Sequence, residues 1–260
     1  MYLRNLFTYQ EMKKTLVIFF SVFTSLAFGQ FNFTTTWPSR FRIGVEGGVG
    51  LVSQFGNPVT EKSQIIDLGY NGGVTFQWDF NPVLHPDSTT KSTIRVGLKT
   101  GVYYDRKGSV VTPKSAMNAG LPVTTSKTRT ILNYITVPLL VQLSVGRENR
   151  VRCYQMLGPY FSYLQGQHVN RSAPDSGMVE SYPVDYYKKL DIGIIIGIGL
   201  EIPIKQQFYI NAEFRQCVGL FDINSNAQPA GEYIQTNASQ FYIGFAYRFA
   251  RKKPYKDKLE

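Results

Sequence analysis

From Ile192 to Ile202 every second residue is large and apolar, and between them stand Gly193, Ile195, Gly197, Gly199 and Glu201. The run Phe241-Tyr-Ile-Gly-Phe-Ala-Tyr-Arg-Phe249 alternates in the same way. A period of two is that of a β-strand, whose successive side chains point to opposite faces. In a soluble sandwich the large set would face a core and the other set water. Here the second set is small or ionic, too cramped for a solvated face, and the pattern recurs about eight times along the chain. Large residues toward lipid, with glycine and ion pairs toward a narrow lumen, are the signature of a transmembrane β-barrel.

The pattern predicts an all-β, eight-stranded antiparallel barrel with strands over 40–53, 66–79, 93–107, 130–145, 151–165, 188–202, 206–219 and 238–249. In the first, Phe41, Ile43, Val45, Val49 and Leu51 share one face, and Arg42, Gly44, Glu46, Gly48 and Gly50 the other. In the third, Ile94, Val96, Leu98, Val102 and Tyr104 oppose Arg95, Gly97, Lys99, Gly101 and Asp105. In the seventh, Phe208, Ile210, Ala212 and Phe214 oppose Tyr209, Asn211, Glu213 and Arg215. Most of these runs exceed the roughly 9–11 residues a tilted strand needs to cross hydrocarbon. A soluble lipocalin-type barrel would reverse the faces, with an apolar lining and a charged exterior. The charged strand residues are expected on the glycine-bearing face throughout.

Connection lengths alternate as well. Residues 146–150 and 203–205 are tight turns, whereas 54–65, 108–129, 166–187 and 220–237 are long and polar. Short periplasmic turns and long outer loops are the rule for such barrels. A periplasmic N-terminus then places all four long links outside the cell, with 80–92 as one long periplasmic turn. The last residues, 250–260, form a basic periplasmic tail.

The chain opens with an export signal over residues 1–29. Met12-Lys13-Lys14 supplies the positive region and a second candidate start, Thr15 to Leu26 is apolar, and Ala27-Phe28-Gly29 precedes a mature Gln30. Residues 30–249 make one barrel domain. The formal charge is +10, and removing residues 1–29 takes away Arg4, Lys13, Lys14 and Glu11 and leaves +8. On an exported barrel this excess points to anionic outer-membrane lipid and lipopolysaccharide phosphates, not nucleic acid. The aromatic share of 14% supplies girdles at the two membrane interfaces. Cys153 and Cys217 fall on opposite parities of different strands, so two free thiols are expected.

The stretch Leu132-Asn-Tyr-Ile-Thr-Val-Pro-Leu-Leu-Val-Gln-Leu143 resembles a strand of the PorT-like outer-membrane β-barrel family. Gly158-Pro-Tyr-Phe-Ser-Tyr163, Asp191-Ile-Gly with Gly197-Ile-Gly-Leu-Glu201, and Gly219-Leu-Phe-Asp-Ile223 are similar to later segments of that family. The resemblance implies an integral outer-membrane protein, an accessory of a secretion or assembly machine such as type IX secretion. These motifs are barrel architecture and carry no catalytic role.

Inward parity collects one constellation of charges: Arg42, Glu46, Arg95, Lys99, Asp105, Arg152, Asp191, Glu201, Glu213, Arg215 and Arg248. An eight-stranded interior is just wide enough for side chains, so opposite signs are expected to meet as a plug. A narrow ion path is the alternative use of intramembrane charge. Tyr103, Tyr134, Tyr154, Tyr160, Tyr209 and Tyr242 share that parity. Lys107, Lys114, Lys127 and Arg129 border one long loop, and Tyr182, Tyr186 and Tyr187 lie in another. These are the candidate contacts with lipopolysaccharide or protein partners. The two histidines, His85 and His168, lie in links. His168-Val-Asn-Arg-Ser172 offers base and hydroxyl in no recognised catalytic spacing. Gly44 to Gly50 lacks the following helix that a nucleotide loop needs, and no cluster has metal-ligand spacing. No cofactor is implied. The function expected is a non-enzymatic interaction or accessory subunit of a secretion or envelope-assembly complex in the outer membrane of a Gram-negative bacterium. It would meet other envelope proteins through its outer loops. A small pore and a lipid A-modifying enzyme are the alternatives.

Overall fold

The computed structural model describes residues 40–56, 64–80, 93–118, 126–146, 150–172, 179–183, 185–204, 207–225 and 233–249. The expected signal segment, the 81–92 turn with His85, and the tail lie outside the described residues. Among the described residues ten strands form: β1 (Arg40–Gly56), β2 (Gln64–Ile65), β3 (Asp67–Phe80), β4 (Thr93–Val111), β5 (Lys127–Gly146), β6 (Arg152–Ser172), β7 (Val179–Pro183), β8 (Leu190–Pro203), β9 (Phe208–Gly219) and β10 (Ile234–Phe249). A short helix, α1 (Pro113–Asn118), follows β4.

Eight of these strands close a ring in the order β1-β3-β4-β5-β6-β8-β9-β10, every pair antiparallel. β2 pairs only the far end of β4, and β7 the far end of β6. The ring is sealed by its first and last members, from Phe41 opposite Phe249 to Gly56 opposite Ile234. Partners can be followed once around the wall. The path leaves Arg40, passes Asp79, Gly97, Gln142, Met156, Gly197, Arg215 and Gln240, and returns to β1 at Gly50. A stagger of ten residues over eight strands tilts them by about 40° and leaves a bore that side chains can fill.

The faces are inverted relative to a soluble protein. Val45, Leu51, Ile198, Phe214 and Ile243 are exposed on the outside, whereas the buried set includes Arg42, Glu46, Lys99, Asp191, Glu201, Glu213 and Arg215. Within β8, Ile195 is buried and Ile194 and Ile198 are exposed, as the alternation requires. At the rim carrying the tight turns, aromatic side chains gather on four neighbouring strands. Phe41 packs against Trp78 and Phe249, and Phe208 against Phe245 and Tyr247. At the opposite rim Tyr70 stacks on Tyr104. These are the two interface girdles of a membrane barrel.

Two prolines interrupt the ladder in the middle of the wall. Between the pairs Thr100–Leu139 and Tyr103–Thr136, β4 and β5 are unpaired around Pro138, whose carbonyl accepts instead from the Thr100 hydroxyl at 2.7 Å. Between Pro138–Tyr160 and Val141–Leu157, β5 and β6 are unpaired around Pro159. Each proline withholds one ladder donor.

The strands overrun their expected ends on the long-loop side. β4 continues to Val111, β5 begins at Lys127, β6 reaches Ser172 and β10 begins at Ile234, so strands take residues 108–111 and 127–129 of one expected loop and 166–172 and 179–183 of the next. A bulge at Gln165 shifts the β5–β6 register between Asn133 and Tyr134, and above it the odd residues Gln167 and Val169 turn inward. The expected confinement of strand charges to the glycine-bearing face also needs correction. Arg106 lies on the outer face over the Tyr70 ring, its guanidinium carbon 5.2 Å from the ring centre. It sits where the apolar band gives way to polar residues, and there an outward cation reaches headgroups instead of hydrocarbon. Cys153 is exposed, Cys217 is buried, and both are free thiols.

Candidate functional site

Among the described residues, the lumen is where many strands bring chemistry together. All eleven charged residues of inward parity are buried in it. At its centre, β4 supplies Lys99, β1 supplies Glu46, and β9 supplies Glu213 and Arg215. Lys99 pairs with Glu46 at 2.5 Å and with Glu213, and Arg215 reaches both carboxylates at 2.5 Å. Tyr103 donates to Glu46 at 2.8 Å and Tyr154 to Glu213 at 2.5 Å. The Arg215 guanidinium also lies 4.1 Å from the centre of the Tyr242 ring. Two cations and two carboxylates thus form a neutral ring in which each charge meets two opposite ones. Such pairing offsets the several kcal/mol that burial costs each ion.

Toward the tight-turn rim, Arg42 pairs with Asp79 and Glu201, and Arg152 approaches Glu201 at 4.0 Å. Arg42 and Arg248 lie over the Tyr209 ring at 5.4 and 4.9 Å, and Arg95 is buried toward the same rim. Asp79 is absent from the sequence-derived set. Its signal was present, because it continues the inward parity of Thr75 and Gln77.

Toward the long-loop rim, Lys107 pairs with Asp191 at 2.9 Å. Its ammonium sits 4.4 Å from the centre of the Tyr160 ring and 5.1 Å from that of Tyr134. Asp191 also accepts from Thr236 at 2.8 Å. The expected role of Lys107 as a surface contact is therefore corrected. β4 runs on past it, and odd parity turns it into the lumen. Asp105 accepts from the Tyr242 hydroxyl at 3.5 Å.

The glycines of the lumen wall make room for tyrosines. Tyr154 stands opposite Gly199, and Tyr160 opposite Gly193. A Cβ at Gly193 would lie 2.6 Å from the Tyr160 ring, and one at Gly199 would fall inside contact distance of the Tyr154 ring. The ring of each tyrosine lies flat over the bare backbone of its partner, and its hydroxyl reaches the carboxylates. The alternation of Gly with large residues is thus a packing rule of the bore.

Above Lys107 the lumen is closed by an apolar layer of Leu132, Tyr134, Leu164 and Ile223, against which Tyr187 and Ile234 pack. Ile223 and Tyr187 come from two different links. They are tied by hydrogen bonds from Lys188 N–H to the Ile223 carbonyl at 2.7 Å and from Ser225 N–H to the Tyr186 carbonyl at 3.0 Å. Gln167 accepts from the N–H groups of both Tyr186 and Tyr187 at 3.0 Å. Asp222 accepts from the N–H groups of Asn224 and Ile234 at 3.0 and 2.9 Å and pairs with Lys188 at 3.3 Å. Against partial burial, which would raise it, those N–H groups and the ammonium hold the Asp222 carboxyl below its ordinary value.

The remaining candidates divide. Tyr186 is exposed, but Tyr187 is half-buried in the cap, its hydroxyl 3.4 Å from Gln54. This corrects its reading as a surface contact. Lys127 is exposed, and Arg129 is half-exposed and pairs with Asp67 at 2.5 Å. The side chains of Lys114 and Tyr182 lie outside the described residues. His168 faces outward beside a shallow pocket shared with Asp185 and Lys189, and no serine is among its described lining. Among the described residues no group of three or more His, Cys, Asp and Glu could hold a metal ion.

No curated protein matches the chain. Solved structures similar to it include neisserial surface protein A, at 11% identity and a TM-score of 0.40, covering 82% of this chain and 100% of that one. OprG from Pseudomonas aeruginosa matches at 10% identity and a TM-score of 0.38, covering 82% and 96%. Ail of Yersinia pestis, solved with the heparin analogue sucrose octasulfate, matches at 11% identity and a TM-score of 0.37, covering 80% and 99%. A family model described as outer membrane protein beta-barrel domain matches residues 27–225. With its closed eight-stranded ring, lipid-facing exterior and ion-paired interior, the chain belongs to that family of outer-membrane barrels.

Proposed function

We propose that this protein is a non-enzymatic, non-conducting barrel that serves as an interaction or accessory subunit of a secretion or envelope-assembly complex. The observation that carries the reading is the content of the bore: three tiers of paired charges stand in it beneath an apolar cap, which favours a plug over a path. What such a barrel can offer is its surface. The strands that overrun the membrane on the long-loop side, and the link bearing Tyr186, form the partner face. Lys127, Arg129 and Arg106 stand just above the apolar band, where they meet lipopolysaccharide phosphates. The long-loop rim is external and both termini are periplasmic. The resemblance to PorT-like barrels makes type IX secretion the first machine to test.

The test is a strain lacking this chain, complemented with the wild type or with a variant whose 113–125 and 173–178 segments are replaced by short Gly-Ser links and whose Tyr186 is replaced by Ser. The expected result is accumulation of exported cargo in the periplasm in the null strain and in the loop variant, with the variant barrel inserted normally. Normal export in the null strain would overturn the reading.

A further inference from the structure

Among the described residues six carboxylates are buried in the bore: Glu46, Asp79, Asp105, Asp191, Glu201 and Glu213. Five of them meet a cation. Glu46 and Glu213 share Lys99 and Arg215, Asp79 and Glu201 share Arg42, and Asp191 holds Lys107. Asp105 is 3% exposed and makes no ion pair among the described residues. Its contact is the Tyr242 hydroxyl, at 3.5 Å. Lys107 follows two residues on along the same face, but its ammonium is turned to Asp191 at 2.9 Å. Arg215 lies over the Tyr242 ring and is bound to Glu46 and Glu213. Between the neutral central ring and the apolar cap, the described bore therefore holds one ammonium against two carboxylates. A buried carboxylate without a counter-charge is among the costliest groups a fold can hold.

Its neighbours carry unspent polar capacity. Asn71 stands opposite Asp105 in the ladder and shares its inward face. It is 7% exposed, and neither its Oδ1 nor its Nδ2 has a hydrogen-bond partner. Opposite positions bring Cβ atoms to about 4.5–5.5 Å, yet the amide does not donate to the carboxylate. On the other side of Asn71 come Gly48 and then Tyr242. Gly48 has no side chain, and a Cβ there would lie 3.0 Å from Asn71 Oδ1. Tyr242 reaches across this bare stretch to Asp105, so Asn71 lies beneath the contact between them. The hydroxyl has a single proton, and Gln240 Oε1 at 3.0 Å is the nearer acceptor. A hydroxyl lone pair and a carboxylate oxygen then face each other with no proton between them.

We propose that Asp105, Asn71 and Tyr242 form a site for one monovalent alkali cation of sodium's size, enclosed between the central ring and the cap. Each residue supplies one oxygen, from a carboxylate, an amide and a hydroxyl. Oxygen ligands stand about 2.4 Å from a hard cation of this size, and two of them at right angles are about 3.4 Å apart. The Asp105 and Tyr242 oxygens have nearly that spacing. Charge selects the valence. One positive charge with Lys107 balances Asp105 and Asp191, whereas a divalent ion would leave an excess in a medium of low dielectric. One carboxylate with neutral oxygens also suits a hard cation and not a transition metal. Leu132, Tyr134, Leu164 and Ile223 close the lumen above. The ion is therefore taken up as the chain folds, and its binding adds to the stability of the folded state.

The experiment is a urea unfolding titration of the full chain in zwitterionic lipid vesicles, in sodium chloride or in choline chloride at equal ionic strength. Screening is then constant, and choline is too large for the site. Sodium should protect the wild type. Once sodium exceeds its dissociation constant, the unfolding equilibrium constant should fall about tenfold for each tenfold rise in sodium, as for one ion bound by the folded state alone. Asp105→Asn and Asn71→Leu should each abolish the difference between the salts. Asp67→Asn, which removes the outer-face partner of Arg129, should retain it. Should Asp105→Asn not fold, the wild type and Asn71→Leu still decide. Equal wild-type midpoints in the two salts would overturn the proposal. So would sodium protection that survives Asp105→Asn or Asn71→Leu, or that is lost equally in Asp67→Asn.

Discussion

Glu213 shows how tightly single residues are bound into this bore. It is buried and held by Lys99, Arg215 and Tyr154 together. Replacement by Ala leaves two cations sharing Glu46 alone and should destabilise the barrel by about 3–5 kcal/mol in a urea folding titration in lipid vesicles. A Lys99→Met, Glu213→Gln double change removes charge from both sides and should cost clearly less. Equal costs would mean that the ring is not coupled. Lys107 separates two readings of one residue. As a surface contact, Lys107→Met would leave folding unchanged. As the partner of Asp191 beneath the cap, it should cost about 3–5 kcal/mol in the same titration. Gly199→Ala forces the Tyr154 ring off its bed and should cost about 1–3 kcal/mol, with Tyr154→Leu partly rescuing it.

Among the elements, β8 states the parity rule most plainly. Ile196 faces lipid, and Ile196→Arg should cost about 2–4 kcal/mol at mid-membrane, measured by the same titration. Parity was legible because a period of two survives any residue choice that keeps one face fat and the other small. The ends of the strands were not legible. Beyond the membrane β6 carries mostly polar side chains on both faces, so Gln165 to Ser172 carries little alternation to read, and its bulge reverses the parity besides. Lys107 is the last position of its predicted strand, where the pattern fades, and so its sequence context points to a contact at the loop border and not to the lumen. Asp79 went unread at the opposite margin, on the last residue of its predicted strand. The cap depends on contacts between links far apart in sequence, and nothing in Ile223 or Tyr187 alone announces them. Its Asp222 clip is open to titration. Because the carboxyl is held below its ordinary value, its contribution is present above that ordinary value and is lost as pH falls through the lowered one. The protection of the Ile234 and Asn224 amides against exchange, relative to an unstructured chain at the same pH, should therefore fall in acid, and Asp222→Asn should flatten that dependence.

At the scale of the whole molecule, filling and closure decide behaviour. In planar bilayers the purified barrel should show no steady current above background. Steady ion-selective currents lost on lumen mutation would mean that the paired charges line a path. On intact cells a protease site inserted in 112–126 or 173–178 should be cut, and one in 147–149 should be protected. The reverse pattern would invert the orientation.

The pairing of β1 with β10 along their whole length carries a consequence for synthesis. No chain still emerging from its exporter can seal its wall, because the strand that completes it is made last. Until then two unpaired edges would stand in hydrocarbon, where their amides have no water to bond. Assembly must therefore wait for the finished polypeptide, held unfolded on the way. The same juxtaposition makes the order of the strands cyclic. Joining the two ends by a short linker and opening the chain at 147–149 should give a permuted polypeptide that reaches the same barrel, recognisable by an unchanged heat-dependent gel shift.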